Sequence, residues 1–178
     1  LASIVLGLCS LPVAWHFVLK PYQQERVLTF LDPTRDPLGA GYHIIQSKIA
    51  VGNGGIWGQG IGGGTQGRLN FLPAHHTDFI FSVFAEEWGF VGTLTVLLLF
   101  MALIFWSLGH ILNTQDRVSA MLTVGVVTIL TSHVLINIGM TIGLMPVVGV
   151  PLPFFSYGGS AMLSQMFGIG LLLNVRMR

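Results

Sequence analysis

The 178-residue chain is 52% hydrophobic and only 8% charged, and its formal net charge is +1. Its mean hydropathy is +0.75. Because soluble domains carry about 25% charged residues, this composition excludes an ordinary soluble domain and indicates a membrane protein. The near-neutral charge argues against a nucleic-acid partner, and the single cysteine, Cys9, can form no intrachain disulfide.

Four apolar runs are long enough to cross a bilayer, which takes roughly 20 residues of helix. They cover about residues 1–19, 79–108, 118–142 and 158–175. Such unbroken runs favour helices over strands, because lipid leaves no backbone polar group unpaired. The predicted fold class is therefore all-α, a polytopic membrane protein with four transmembrane helices in one membrane domain, residues 1–178. Because the chain starts within an apolar run, we expect it to be a fragment that begins inside a spanning helix.

Basic residues in the short loops predict the orientation of these helices. Arg117 lies between the second and third runs and Arg176 and Arg178 lie in the tail, whereas residues 143–157 contain no lysine or arginine. The tail is therefore predicted to be cytoplasmic. Residues 20–78 form a large extracytoplasmic loop, and residues 143–157 form a short, re-entrant-like extracytoplasmic loop.

The segment of residues 20–78 is too long for a plain connector. Within it, residues 42–51 are predicted to form a short amphipathic helix with Tyr42, Ile45 and Ile49 on one side.

Nine glycines follow in residues 52–67. A flexible linker explains such a composition. However, Ile56, Trp57 and Ile61 are spaced through the stretch, and glycine permits close backbone approach to a ligand. A linker and an ordered functional loop both remain open.

Three polar residues lie inside the last two spans. His133 and Asn137 are four residues apart and share a helix face, and Gln165 lies in the fourth span. Hydrogen bonding between helices is the preferred interpretation for all three, ahead of a direct role in chemistry. Between these spans, residues 156–160 precede a helix whose N–H groups can attract an anion, although a plain turn is the alternative.

Three of the seven carboxylates, Asp78, Glu86 and Glu87, lie at the start of the second span. Asp78 is either a helix cap or a base. On a helix, Glu86 lies about 12 Å beyond it and Glu87 points to the opposite side, so the three form no close catalytic pair. The neighbouring His75 and His76 make an improbable zinc site. A divalent cation with oxygen ligands at Asp78 is more plausible.

Three long motifs resemble one known family. They are NIGMTIGLMPVVGVPLPFFSYGGSA at residues 137–161, FLDPTRDPLGAGYHIIQSKIAVGNGG at residues 30–55 and LPAHHTDFIFSVFAEEWGFVG at residues 72–92. They are similar to the signatures of the SEDS (shape, elongation, division and sporulation) proteins. The second motif is closest to the RodA branch. The resemblance implies a ten-helix fold, of which this chain holds the last four helices.

The resemblance implies a peptidoglycan glycosyltransferase of the bacterial inner membrane that polymerises lipid II into β-1,4 glycan during elongation and rod-shape maintenance, with its active site facing the periplasm. It implies a class B penicillin-binding protein and other elongation-complex membrane proteins as partners. The family's essential aspartate falls on Asp78 and a glutamate associated with activity control on Glu86; His76 is a second supporting residue. The candidate substrate-binding residues are Gln46, Lys48, Arg68, Ser156, Gly158 and Gly159.

Magnesium or manganese is the expected cofactor, if there is one. A lipid II transporter and a non-catalytic scaffold that activates a penicillin-binding protein are the alternative functions. Transporters place charged groups near the bilayer midplane, whereas Asp78 lies at a span boundary and the predicted spans contain no lysine or arginine. The enzyme is therefore favoured, and the fragment alone is expected to be inactive.

Overall fold

The computed structural model describes residues 20–36, 39–64, 78–113 and 116–177, so the first predicted span lies outside the described residues. The described residues form five α-helices and one short 3₁₀ helix, Pro33–Arg35, and contain no strand. The α-helices are α1 (Pro21–Leu31), α2 (Ala40–Asn53), α3 (Ile80–Asn113), α4 (Arg117–Thr141) and α5 (Gly159–Met177). The all-α prediction is confirmed.

Two of these helices are long and apolar enough to cross a membrane. The segments Ile80–Gly109 of α3 and Arg117–Thr141 of α4 have mean hydropathies of 2.3 and 1.9. In α5, the apolar segment Gly159–Val175 is shorter. Helices therefore lie where the last three apolar runs predicted them.

The N-terminus of α4 is capped by a side chain. The Asp116 carboxylate accepts hydrogen bonds from the backbone N–H groups of Val118 and Ser119, at 3.2 and 3.1 Å. These N–H groups have no partner within the helix, and a carboxylate there is a preferred cap. The polar sequence before the third apolar run therefore ends in a defined helix start.

The core joins α3, α4 and the connection between α4 and α5, which we call the α4–α5 loop (residues 142–158). Its buried members are Phe81, Val96, Phe100, Val134 and Leu152. Because Leu152 is 1% exposed, the loop is packed into the core although its backbone is irregular. Such backbone is tolerated beside a membrane when it is buried in protein.

Helix α2 forms as predicted, but the side that carries Ile45 and Ile49 is not its buried side. Ile45 and Ile49 are exposed, whereas Gly41, Ile44, Ser47 and Ala50 are buried. The small buried residues let α2 approach its neighbours closely: the Ser47 hydroxyl lies 2.6 Å from the Ser82 hydroxyl of α3 and donates to the Thr141 carbonyl of α4 at 2.6 Å.

The 3₁₀ helix between α1 and α2 has its own cap. The Asp32 carboxylate accepts hydrogen bonds from the hydroxyl and the backbone N–H of Thr34. These bonds lower the pKa of Asp32 below its usual value, the hydroxyl bond contributing most. Asp36 likewise accepts from the N–H of Ala40 at the start of α2.

Helix α3 is interrupted, which corrects the prediction of one continuous helix. Gly89 has φ 65° and ψ −164°, a conformation essentially restricted to glycine. Residues 54–64, which we call the glycine turn, lie against this break. The break therefore tilts the start of α3 relative to the remainder.

Candidate functional site

Asp78 lies just before α3, in a turn at the end of the molecule where α2 and the α4–α5 loop meet. It is half-buried. The first bonds of α3 run from the N–H groups of Ser82 and Val83 to the Phe79 carbonyl, and among the described residues no group donates to the Asp78 carboxylate. The helix-cap interpretation is therefore wrong, and the carboxylate carries no capping duty.

Asn137 of α4 fixes the backbone beside this carboxylate. Its Nδ2 donates to the carbonyl oxygens of Asp78, at 3.0 Å, and of Val150, at 2.7 Å. Hydrogen bonding between helices was the preferred interpretation of Asn137; its amide does bond away from α4, but to two irregular segments rather than to another helix.

The α4–α5 loop lies directly against the Asp78 side chain. Gly149 has φ 78°, and a Cβ atom at this position would lie 3.3 Å from Asp78 Oδ2. The loop backbone therefore forms one wall beside the carboxylate, and a larger residue there would be both strained and in contact with it.

Two basic side chains also contact this loop. The side chain of Lys48 in α2 packs against Gly143, so closely that a Cβ atom at Gly143 would collide with the lysine side chain. Arg26 of α1 donates from a guanidinium nitrogen to the Val148 carbonyl at 3.2 Å. Side chains of α1 and α2 thus contact this loop, with the Asp78 carboxylate and two cations around residues 143–149.

The other predicted substrate-binding positions lie at different depths. Gln46 is half-buried in α2. Ser156 is buried, and its hydroxyl accepts from the Leu152 N–H at 2.6 Å, which closes a turn of the loop. Gly158 is half-buried and Gly159, the first residue of α5, is exposed. Arg68 and His76 lie outside the described residues.

Gln165 and His133, the other two polar residues of the last two spans, are not part of the arrangement around Asp78. Gln165 accepts from the Phe154 N–H at 2.9 Å, a bond from α5 to the α4–α5 loop rather than the bond between helices that was predicted. His133 of α4 and Gln165 of α5 both line an apolar cavity of about 250 Å³ between these helices.

The glycine turn is ordered and holds both glutamates of α3. A Cβ atom at Gly64 would lie 2.6 Å from Oε2 of Glu86, which is fully buried. The Gly62 N–H donates to Glu87 Oε1 at 2.9 Å. Residues 54–64 therefore form an ordered turn that both glutamates contact, rather than a flexible linker. A functional role for the stretch stays a prediction, and its residues 65–67 lie outside the described residues.

Backbone hydrogen bonds fasten the same turn to the break in α3. From the turn, the N–H groups of Gln59 and Gly60 donate to the carbonyls of Glu86 and Glu87, both at 3.0 Å. From α3, the N–H group of Phe90 donates to the Gly55 carbonyl at 2.9 Å, and that of Val91 donates to the Ile56 carbonyl at 3.2 Å. The turn thus satisfies the backbone groups that the break at Gly89 releases.

The described residues contain no group of three or more histidine, cysteine, aspartate or glutamate side chains arranged to hold a metal ion. At Asp78 they supply a single carboxylate. By themselves, the residues that the structure describes therefore do not fit a site in which protein ligands enclose a cation.

Sequence reasoning did not single out Arg26, Ser47 or Gly149. Arg26 and Ser47 carried no signal, since their partners are carbonyl groups distant in sequence. Gly149 lay inside a quoted motif, and its position between two apolar residues in a proline-rich stretch is a signal for special backbone geometry.

Comparison with known proteins identifies relatives of this chain. The family model described as cell cycle protein, covering FtsW, RodA and SpoVE, matches residues 1–178. Peptidoglycan glycosyltransferase MrdB of Escherichia coli K12 is 49% identical over 97% of this chain and 47% of its own length. Peptidoglycan glycosyltransferase RodA of Treponema pallidum is 45% identical, and stage V sporulation protein E of Bacillus subtilis is 42% identical. The chain spans about half the length of the MrdB and sporulation proteins and 37% of the Treponema RodA.

A solved structure also matches the fold. It is described as "structural coordination of polymerization and crosslinking by a peptidoglycan synthase complex", with a TM-score of 0.70 and 39% identity over 99% of this chain and 49% of that one. With the apolar helices α3 and α4, these matches make this a bacterial membrane protein. The chain belongs to the FtsW, RodA and SpoVE family of cell cycle proteins, the SEDS family that its motifs predicted.

Proposed function

We propose that this chain is the C-terminal part of a peptidoglycan glycosyltransferase that polymerises lipid II into β-1,4 glycan strands during cell elongation. The geometric observation that carries the proposal is the Asp78 carboxylate, half-buried at the start of a membrane-spanning helix and beside the backbone of Gly149. The names of the MrdB and RodA relatives support the reaction class.

Asp78 is the general base in this proposal. It takes the proton from the 4-hydroxyl of the acceptor GlcNAc, and that oxygen attacks the anomeric carbon of the donor sugar. The bond from the anomeric carbon to the diphosphate breaks, undecaprenyl diphosphate leaves with the electron pair, and the α-linked donor becomes a β-1,4 glycan. A general base of this kind contributes about 10²–10⁴-fold.

Lys48 is the described cation best placed to bind the leaving diphosphate. It is exposed and lies against Gly143, on the same loop as Gly149, where an added Cβ atom would lie 3.3 Å from Asp78 Oδ2. Arg26 donates to the loop carbonyl at Val148, so we assign it to holding the loop. An ammonium group binds phosphate as a point charge without a fixed geometry, which suits a departing group.

We also propose a divalent cation, bound mainly by the substrate and water rather than by the protein. From the described residues it would take one carboxylate, that of Asp78, and would draw its other oxygen ligands from water and the substrate diphosphate, as magnesium commonly does. Because the described residues do not enclose such an ion, we derive no catalytic step through it.

We place residues 20–64 and the α4–α5 loop on the periplasmic side of the inner membrane, where lipid II presents its sugars.

We also propose a partner, a class B penicillin-binding protein that cross-links the strands. Support for this partner is the structural relative, described as coordinating polymerization and crosslinking in one complex.

The decisive experiment measures glycan formation from purified lipid II by the full-length protein with its penicillin-binding partner. Asp78→Asn should abolish polymer while the complex still forms. Asp116→Asn is the matched control, because asparagine also caps a helix and the position is about 30 Å from Asn137 along α4. A polymerising Asp78→Asn variant would contradict the proposal.

The same variants separate the two alternative functions. A transporter predicts no polymer from the wild-type complex but movement of lipid II across vesicles. A scaffold predicts that wild-type and Asp78→Asn proteins activate cross-linking equally.

A further inference from the structure

Asn137 joins two irregular backbone segments that flank the Asp78 carboxylate. Its side chain is fully buried, with 0% exposed, and both neighbours of Nδ2 are carbonyl oxygens, of Asp78 and Val150. Only the NH₂ end of an amide can donate, so these two acceptors determine which way the side chain faces.

This orientation leaves the Asn137 Oδ1 atom buried without a hydrogen-bond partner among the described residues. An unpaired buried acceptor is destabilising. Asparagine is therefore present here for its two donors, which hold two segments with one side chain.

The bond to Asp78 is one that α3 itself does not make. The first helical bonds of α3 end on the Phe79 carbonyl, so the Asp78 carbonyl lies outside the helical ladder. The Asn137 amide is the described group that ties this carbonyl to α4, and its second bond ties the loop containing Gly149 to the same point.

We propose that Asn137 is a positioning residue that sets the distance between the Asp78 carboxylate and the α4–α5 loop. The inference rests on the proposed function, in which Asp78 is the base. When Asn137 is lost, the Asp78 peptide and Val150 are no longer held together, and the carboxylate shifts relative to the acceptor hydroxyl. Since a displacement of about 1 Å costs up to about 100-fold in rate, kcat falls about 10- to 100-fold while the KM for lipid II stays within about twofold.

The test uses the full-length protein with its penicillin-binding partner and measures kcat, KM and thermal stability. Asn137→Leu keeps a similar volume and removes both donors. Asn137→Gln keeps the donors on a longer stem and serves if the leucine variant fails to fold. Ser47→Ala is the matched control, because Ser47 is also fully buried and donates to a carbonyl of another helix, that of Thr141.

The expected result is a selective fall in kcat in each folded Asn137 variant, with Ser47→Ala retaining its kcat at a comparable loss of thermal stability. A folded Asn137 variant with near wild-type kcat overturns the inference. The inference is also overturned if Ser47→Ala loses as much kcat as the Asn137 variants do at the same loss of thermal stability. A failure of both Asn137 variants to fold overturns it too, since the amide then serves the fold alone.

The single variants Asp78→Asn and Asn137→Leu, assayed side by side for glycan formation, separate this inference from the proposed function. An active Asp78→Asn enzyme contradicts the proposed base, whereas an inactive Asp78→Asn with an active Asn137→Leu contradicts only the positioning role.

Discussion

Gly89→Ala should undock the glycine turn from α3. A Cβ atom at Gly89 would lie 2.7 Å from the Ile56 carbonyl oxygen and 2.8 Å from the Trp57 carbonyl carbon, and closer still to Gly58 N. The backbone conformation at Gly89 costs a residue with a side chain about 1–3 kcal/mol. Each of the four backbone hydrogen bonds across the break contributes about 1 kcal/mol. If half of them are lost, the free energy of unfolding falls by about 3–5 kcal/mol.

Denaturant unfolding of the full-length protein in detergent, followed by tryptophan fluorescence, measures this loss, and Trp57 and Trp88 lie on either side of the contact. Limited proteolysis within residues 54–64 reports undocking directly. The control is Gly125→Ala in α4, where a Cβ atom meets nothing within 4 Å and alanine should stabilise the helix by about 0.5–1 kcal/mol. If Gly89→Ala leaves both the unfolding free energy and the protease resistance of the turn unchanged, the break does not depend on this contact.

Two further substitutions test how irregular backbone and helix ends are stabilised. Asp116→Ala should lower the unfolding free energy by about 0.5–2 kcal/mol because it removes the α4 cap. Asp116→Asn, which can still cap the helix, should stay close to wild type. Equal losses in the two variants would show that the charge of Asp116 matters rather than its capping. Gln165→Leu should cost about 1–3 kcal/mol because the Phe154 N–H loses its acceptor. Hydrogen exchange at Phe154 should then accelerate, and unchanged exchange would show that another group protects it.

Uniform apolar runs were the most predictable part of the fold. The run at residues 118–142 became α4, Arg117–Thr141, because it is predominantly apolar, contains no charged residue and follows a capping aspartate. The break at Gly89 was not predicted, because a single glycine in an apolar run is compatible with a continuous helix. The groups that stabilise the break lie in the glycine turn, more than twenty residues earlier, and no local pattern connects them.

The candidate site was predictable in its residue types and not in its contacts. Asn137 has a side chain that bonds across elements in membranes, but nothing in its spacing identified the Asp78 and Val150 carbonyls as acceptors. Asp78 was undecided between cap and base from its position alone. The structure excluded the cap because α3 begins beyond it and the first helical bonds end on Phe79.

The three carboxylates at the start of α3 divide into two that hold the glycine turn and one that does not. Glu87 accepts from the Gly62 N–H, and buried Glu86 lies against Gly64, so both glutamates hold the turn that compensates the break. Beside a membrane, irregular backbone requires such internal partners. Among the described residues, no donor engages the Asp78 carboxylate, although Asn137 holds its carbonyl. Of the three carboxylates at the start of α3, Asp78 is therefore the one whose removal should affect chemistry more than stability.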